Sequence, residues 1–372
     1  MKIALFYHSL VSDWNHGNAH FLRGVATELA ARGHDLNIYE PRDGWSKRNL
    51  IEQHGIGPIE AFSDVYSQLK SIEYDEAVLD LDEELDGVDL VIVHEWNDAD
   101  LVRRIGEHRR RSDRNYALLF HDTHHRSITM PQEMEAYDLR GYDGVLAFGK
   151  VIRDIYLKRR WARRAWIWHE AADVRMFKPL EAPIVEGDVV WIGNWGDDER
   201  TEEIAEFLLE PSRRLKLRAA VYGVRYPEEA RKALLTSGIR YHGWLPNYMV
   251  PLVFSRFAMT IHIPRRPYTA LLPGIPTIRP FEAMACGIPL ISAPWDDAEH
   301  LFEPGKDFLV ARNGREMQDH IRSLLDNPTA AGELAARARA TILKRHTCAH
   351  RVDELMAICS ELGIRRTEAA AA

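Results

Sequence analysis

Cysteine is scarce: the 372 residues hold only Cys286, Cys348 and Cys359, an odd number with no Cys-x-x-Cys spacing. That excludes a disulfide framework and a cysteine-rich zinc site, and it fits a reducing compartment. Long apolar runs are also missing, and no stretch approaches the ~18 residues that a membrane-spanning helix needs. The start, Met1-Lys2-Ile3-Ala4-Leu5-Phe6-Tyr7-His8, is too short an apolar segment for a signal peptide and has no small-residue cleavage site. A cytoplasmic protein is the expectation. Basic charge is not in excess: 48 Lys+Arg against 56 Asp+Glu leave a net charge of −8. A general nucleic-acid binder would carry the opposite balance, to release counterions from phosphates. The first turn, Ser12-Asp13-Trp14-Asn15-His16-Gly17-Asn18-Ala19, lacks G-x-G-x-x-G, so no dinucleotide cofactor is expected.

What is present is an ordinary globular composition, 46% hydrophobic and 28% charged, long enough for two domains. Apolar runs at 3–7, 36–39, 90–94, 116–121, 145–148 and 166–169 read as strands separated by helical or polar segments. One such helix carries Phe21, Leu22, Val25, Ala26 and Leu29 on a single face and stops at Gly33. The pattern restarts with runs at 189–192, 218–222, 240–242, 259–263, 290–292 and 308–310, and ends in a helical stretch over 329–362. Strands alternating with helices predict α/β domains with parallel sheets, whose ligands sit beyond the carboxyl ends of strands. The expected division is a first domain over 1–170, a linker over 171–187 with Pro179 and Pro183, a second domain over 188–346, and a C-terminal helix and tail over 347–372. That helix has Val352, Leu355, Met356 and Cys359 on one stripe and needs a partner surface.

The sharpest chemical segment is Arg279-Pro280-Phe281-Glu282-Ala283-Met284-Ala285-Cys286-Gly287. Proline suits the first turn of a helix and glycine its end. The free N–H groups of such a helix, with Arg279 beside them, suit a diphosphate. Glu282 is the candidate for a ribose diol, with a role in offsetting the helix dipole as the plainer alternative.

Phe281-Glu-Ala-Met-Ala-Cys-Gly-Ile-Pro-Leu-Ile291 resembles the donor helix of GT-B glycosyltransferases of the family 4 (group 1) type. Four further segments are similar in order: Leu29-Ala-Ala-Arg-Gly-His34, Glu170-Ala-Ala-Asp-Val-Arg-Met-Phe-Lys-Pro179, Tyr241-His-Gly-Trp-Leu-Pro246 and Glu303-Pro-Gly-Lys-Asp-Phe-Leu-Val310. Arg279-Pro-Phe-Glu282 is closest to the spore-maturation (CgeB-like) branch. The resemblance implies two Rossmann-like domains facing across a cleft, with the acceptor on the first, the donor on the second and the C-terminal helix returning to the first. It implies transfer of a sugar from a nucleotide-diphosphate sugar, UDP-sugar favoured, to an acceptor hydroxyl, with retention and without a metal.

By the same resemblance His121, Arg279 and Arg200 are the catalytic candidates. Glu282, Gly17, Asn194, Trp244, Leu245, Arg265, Gly274, Thr277, Ile278 and Phe281 are candidates for donor binding. Asp13, His16, His94 and His124 are candidates on the acceptor side. Two departures stand out. Gly274 occupies the place of the first Glu of the family's E-x7-E pattern, and Asn194 replaces a charged residue, with Arg200 standing where a Lys is usual. Arg266 is a further cation after the strand at 259–263, with a solvated-surface alternative.

The acceptor class is open among a glycan, a lipid-linked group, a protein and a small molecule. Asp80-Leu81-Asp82 has D-x-D spacing but sits in an acidic run instead of after a strand. The basic stretch Lys158-Arg-Arg-Trp-Ala-Arg-Arg-Ala-Trp-Ile-Trp168 suits either a solvated helix face or a peripheral contact with an anionic membrane. The competing functions are a sugar-nucleotide 2-epimerase of the same architecture and a non-catalytic sugar-nucleotide-binding protein.

Overall fold

The computed structural model describes residues 1–111, 116–180 and 184–364. Pro183 and the tail beyond 364 lie outside them. The chain divides into two compact units: one runs from Met1 to His169 and resumes at Cys348, and the other spans Glu170–Thr347.

The first unit is built on seven parallel strands: β1 (Lys2–Phe6), β2 (Asp35–Pro41), β3 (Ser71–Tyr74), β4 (Leu90–His94), β5 (Ala117–Asp122), β6 (Gly144–Ala147) and β7 (Ala165–Ile167), in the order β3-β2-β1-β4-β5-β6-β7. Helices cover both faces of such a sheet, so its central strands read as continuous apolar runs. Ile3, Ala4, Leu5, Phe6 and Leu90 to Val93 are all buried. The order reverses between β1 and β4, which pair with Ile3 opposite Leu90 and Phe6 opposite Val93. A crevice opens at that point of a doubly wound sheet.

The helix Cys348–Glu361 belongs to this unit. Arg32 donates to the Ala349 carbonyl at 3.0 Å and pairs with Asp353. Trp168 donates to the Arg351 carbonyl at 2.8 Å. Val352, Leu355 and Cys359 are buried as the stripe predicts, but Ile358 is buried where Met356 is only half-buried. The helical stretch over 329–362 is two helices, Pro328–Arg345 and Cys348–Glu361, which part at His346-Thr347, where the C-terminal helix was expected to begin. β3 was not expected: Ser71-Ile72-Glu73-Tyr74 is an edge strand with little apolar signal. Asp80 caps the short helix Leu81–Glu84, its Oδ1 accepting the Asp82 N–H at 2.9 Å, which accounts for the D-x-D spacing.

The second unit has six parallel strands: β8 (Gly187–Ile192), β9 (Ala219–Tyr222), β10 (Ile239–Tyr241), β11 (Phe257–His262), β12 (Leu290–Ser292) and β13 (Leu309–Val310), in the order β10-β9-β8-β11-β12-β13. Its switch point lies between β8 and β11, paired with Val190 opposite Thr260. The core beneath includes Val189, Trp191, Val221, Met259, Ile261 and Ile291. Gly287 ends the helix Ile278–Cys286 at φ +68°, a left-handed conformation that costs glycine nothing.

Candidate active site

The two strands at the second unit's switch point are joined beyond their ends by one guanidinium. Arg200 donates through Nη2 to Asn194 O at 2.7 Å and Asn194 Oδ1 at 2.8 Å, after β8. Through Nη1 it donates to Ile263 O at 2.8 Å, after β11. Its carbon Cζ lies 5.0 Å from the centre of the Trp191 ring. Nε is buried with no partner, and among the described residues no carboxylate forms an ion pair with Arg200. Burial, and then the neighbouring Arg265 charge, push its pKa down to about 9. It stays charged at neutral pH as a cation that lacks its anion.

Arg265, Arg266 and His262 lie on the elements beside it. Arg265 donates to Asn194 Oδ1 at 3.0 Å and pairs with Glu199 at 2.8 Å. Arg266 is turned away, bound to Glu203 at 3.1 Å and to the Asp198 carbonyl at 2.6 Å. His262, the last residue of β11, is held by Ser292 Oγ at 2.9 Å and lies 3.4 Å from Thr277 Oγ1. Burial, followed by the Arg200 and Arg279 charges, drives the His262 pKa down to about 3, so the imidazole is neutral. Thr277 opens the helix Ile278–Cys286, whose first turn has no side-chain cap. The N–H groups left over there suit an anion.

Glu282, fully buried in that helix, accepts from Asn247 Nδ2 at 2.8 Å and pairs with Arg279. The structure therefore joins two residues that the sequence assigned to different parts of a nucleotide. Glu170, also buried, has its pKa raised well above the ordinary value by burial and then by the Glu282 charge. For an acid with a raised folded pKa, the unfolded chain gives up its proton first. Raising the pH above the ordinary glutamate range therefore favours unfolding. Thermal unfolding temperatures are expected to decline from pH 5 to pH 8, and Glu170→Gln to flatten that decline; an unchanged slope in the variant would reject the assignment.

Gly274 adopts φ +87° and donates to Asp296 O at 2.6 Å. A Cβ at position 274 would meet Glu299 Cγ at 2.7 Å, so the loop after β12 closes over it and only glycine fits. Trp244 and Leu245 lie half-buried after β10. Ile278 and Phe281 turn into the core; the Phe281 ring packs 5.3 Å from Phe302, so any donor contact there is left to backbone. His262 was missed, although it ends a strand as the positional rule asks. Asn247 and Glu299 left no sequence signal of their own, and Glu170 entered only as the start of the family-like segment Glu170–Pro179.

In the first unit the switch point is lined by imidazoles. His8 follows β1, His94 ends β4 and His121 lies opposite it on β5. His94 lies 3.2 Å from Thr123 Oγ1, which in turn donates to Glu95 at 3.1 Å, so it is tied into the frame. His121 is buried against Trp168, ring centres 4.8 Å apart, with neither nitrogen partnered and its pKa pushed by burial to about 3. Arg126 fixes the loop after β5 through Glu95 at 2.9 Å. Asp13, expected on the acceptor side, is paired with Arg23 at 2.9 Å. His124 stacks edge-on against Trp96, centres 5.0 Å apart, and Gly17 is exposed in the turn.

Solved structures with this architecture cover nearly the whole chain. Anabaena HepE, in complex with UDP and glucose, matches with 16% identity over 97% of this chain and 99% of its own, at a TM-score of 0.67. An α-glucosyltransferase (AGT) in complex with UDP matches with 11% identity over 97% and 100%, at 0.72. Sucrose-phosphate synthase from Thermosynechococcus elongatus matches with 14% identity over 98% and 99%, at 0.64. Residues 200–357 match the family model described as glycosyl transferase-like. The chain has the GT-B fold, and its second unit is similar to the glycosyl transferase-like family. The matched segment of this GT-B chain begins at Arg200 and contains Asn247, His262, Arg265, Gly274, Arg279 and Glu282. No curated protein sequence matches the chain. No helix among the described residues is long and apolar enough to cross a membrane.

Proposed function

We propose that this protein transfers a glycosyl group from a nucleoside diphosphate sugar, a UDP-sugar by preference, to an acceptor hydroxyl. The observation that carries the reading is Arg200: a buried guanidinium nitrogen without a partner, in a cation without a carboxylate, at the switch point of the second unit. An incoming diphosphate supplies the missing anion. Cleavage of the sugar–phosphate bond sends the bonding electrons to the phosphate oxygen while the sugar becomes oxocarbenium-like. Arg200, Arg265, Arg279 and the N-terminal turn of the helix Ile278–Cys286 face that growing charge, which is where fixed donors lower a barrier most. Arg279 then turns from Glu282 to the diphosphate, and the Glu282 carboxylate accepts the ribose hydroxyls. These three cations allow the reaction to run without a metal ion. Retention at the anomeric carbon accords with the family 4 resemblance of residues 279–291. UDP in complex with HepE and with AGT supports the choice of base.

A thermal-shift screen of UDP-, GDP-, TDP- and ADP-sugars tests the reading. A ligand at a hundred times its Kd adds about 2.7 kcal/mol, and at ~2–4 °C per kcal/mol UDP-glucose at that ratio is expected to raise the unfolding temperature by about 5 °C or more. No shift with any nucleotide would overturn the proposal. NMR of the product's anomeric proton decides retention, and conversion of the donor to its 2-epimer without acceptor would favour the epimerase reading.

A further inference from the structure

The first unit holds a second set of unsatisfied polar groups, of another chemical kind. His8 and His16 stand with ring centres 3.8 Å apart beyond the end of β1. His8 Nδ1 and His16 Nε2 are both buried with no hydrogen-bond partner, and His16 is 7% exposed as a whole. Buried polar atoms are nearly always paired, so two adjacent orphans in one crevice mark a missing partner.

The surroundings select that partner. The carboxylates near the pair are already engaged. Asp13 is bound to Arg23, whose remaining donors go to the Leu10 and Val11 carbonyls at 2.9 and 3.0 Å. Glu40 accepts from Ser9 Oγ at 3.0 Å, from Leu10 N–H at 2.7 Å and from Ser71 Oγ at 2.6 Å. Glu95 is held by Arg126 and Thr123, and Asp122 accepts from Tyr156 at 2.8 Å. Burial lowers the pKa of His8 to about 4 and drives His16 below its ordinary value, with the His8 and Arg23 charges adding to the latter. Two neutral imidazoles offer neither a cation for a phosphate or carboxylate nor an anion for an amine. They can accept from, and donate to, hydroxyl groups. Beside them the Trp96 indole is 44% exposed, its centre 6.5 Å from the His8 ring, and Arg126 stacks over it at 4.1 Å and holds it in place. An exposed indole next to hydroxyl-binding groups suits a ring with one apolar C–H face.

We propose that His8, His16 and the Trp96 indole form a binding site for a neutral saccharide, with a pair of neighbouring hydroxyls on the two imidazoles and the C–H face of the sugar on the indole. Resting on the transfer reading above, this saccharide is the acceptor. Phosphorylated sugars, amines and simple lipid alcohols do not fit the site.

The test is a titration of the full chain, labelled with 13C at histidine Cε1, with the methyl α- and β-pyranosides of glucose, galactose and mannose, and with glucose 6-phosphate. His8→Gln and His16→Gln assign the two resonances. At least one neutral pyranoside is expected to shift both resonances saturably at millimolar concentration, and glucose 6-phosphate to need at least tenfold more. Trp96→Ala is expected to weaken the pyranoside at least tenfold while the remaining histidine spectrum stays unchanged. If none of the six pyranosides moves the two resonances, or if glucose 6-phosphate binds as well as they do, the inference is overturned. UDP binding measured on the same sample separates the two readings. A UDP response without a saccharide response sinks only the saccharide site, and the converse sinks the transfer reading and the saccharide's role as acceptor while the binding site stands.

Discussion

If the proposed glycosyl transfer is right, Arg200→Met is expected to abolish most of it while leaving the protein close to its parent in stability. The methionine keeps an unbranched apolar stem beside Trp191, the ring that Arg200 now covers. What it removes is a cation that burial already penalises and that no carboxylate compensates. Loss of one such donor from a site of developing charge lowers turnover by about 10²–10³-fold. UDP affinity is expected to fall by roughly 1.5–3 kcal/mol, the range for a hydrogen bond to a charged group. Calorimetric titration and a melting curve on the same preparation check both halves. A destabilised variant that still bound UDP at full strength would make Arg200 a brace between Asn194 and Ile263, and the diphosphate site would fall with it.

Glu282→Ala should lower the stability of the second unit. It strips Asn247 Nδ2 of its buried acceptor and leaves the Arg279 guanidinium facing a cavity. Breaking a buried pair from one side costs about 3 kcal/mol, which corresponds to a fall of roughly 6–12 °C in the unfolding temperature. Glu282→Gln keeps the shape and still offers an oxygen, so its melting point should drop far less, and this variant can report on binding. If the carboxylate receives the ribose diol, uridine and UDP should each lose about tenfold in affinity, roughly 1.4 kcal/mol, while free uracil loses nothing. Equal uridine affinity in Glu282→Gln and the parent would confine Glu282 to holding Arg279 and Asn247.

The central strands were legible because a strand covered on both faces must be apolar at every position, and Ile3–Phe6 or Leu90–Val93 cannot be read otherwise. An edge strand carries no such demand, which is why Ser71–Tyr74 went unread. Arg265, Arg279 and Glu282 were singled out by their positions just beyond a strand end or in the first turn of a helix, and Arg200 by the family resemblance. Glu170 and Asn247 were not. Glu282 joins them from 112 and 35 residues along the chain, and no local periodicity encodes such a meeting.

By itself the sequence determined the α/β alternation, the restart into a second sheet, the helix Ile278–Cys286 with its glycine stop, and the cation-rich strand ends. All of these follow from spacing along the chain, because helix and strand periods and end residues act over a few positions. The tertiary structure alone decided which charges are answered and which are not. Asp13 looked available until Arg23 came to it from a helix ten residues on, and Arg279 looked free until it met Glu282. Nothing in the sequence shows that nitrogens of Arg200, His8 and His16 are left without partners. Only folding removes water from their nitrogens without supplying a partner, and a polar atom's need for a ligand exists only once water has been removed.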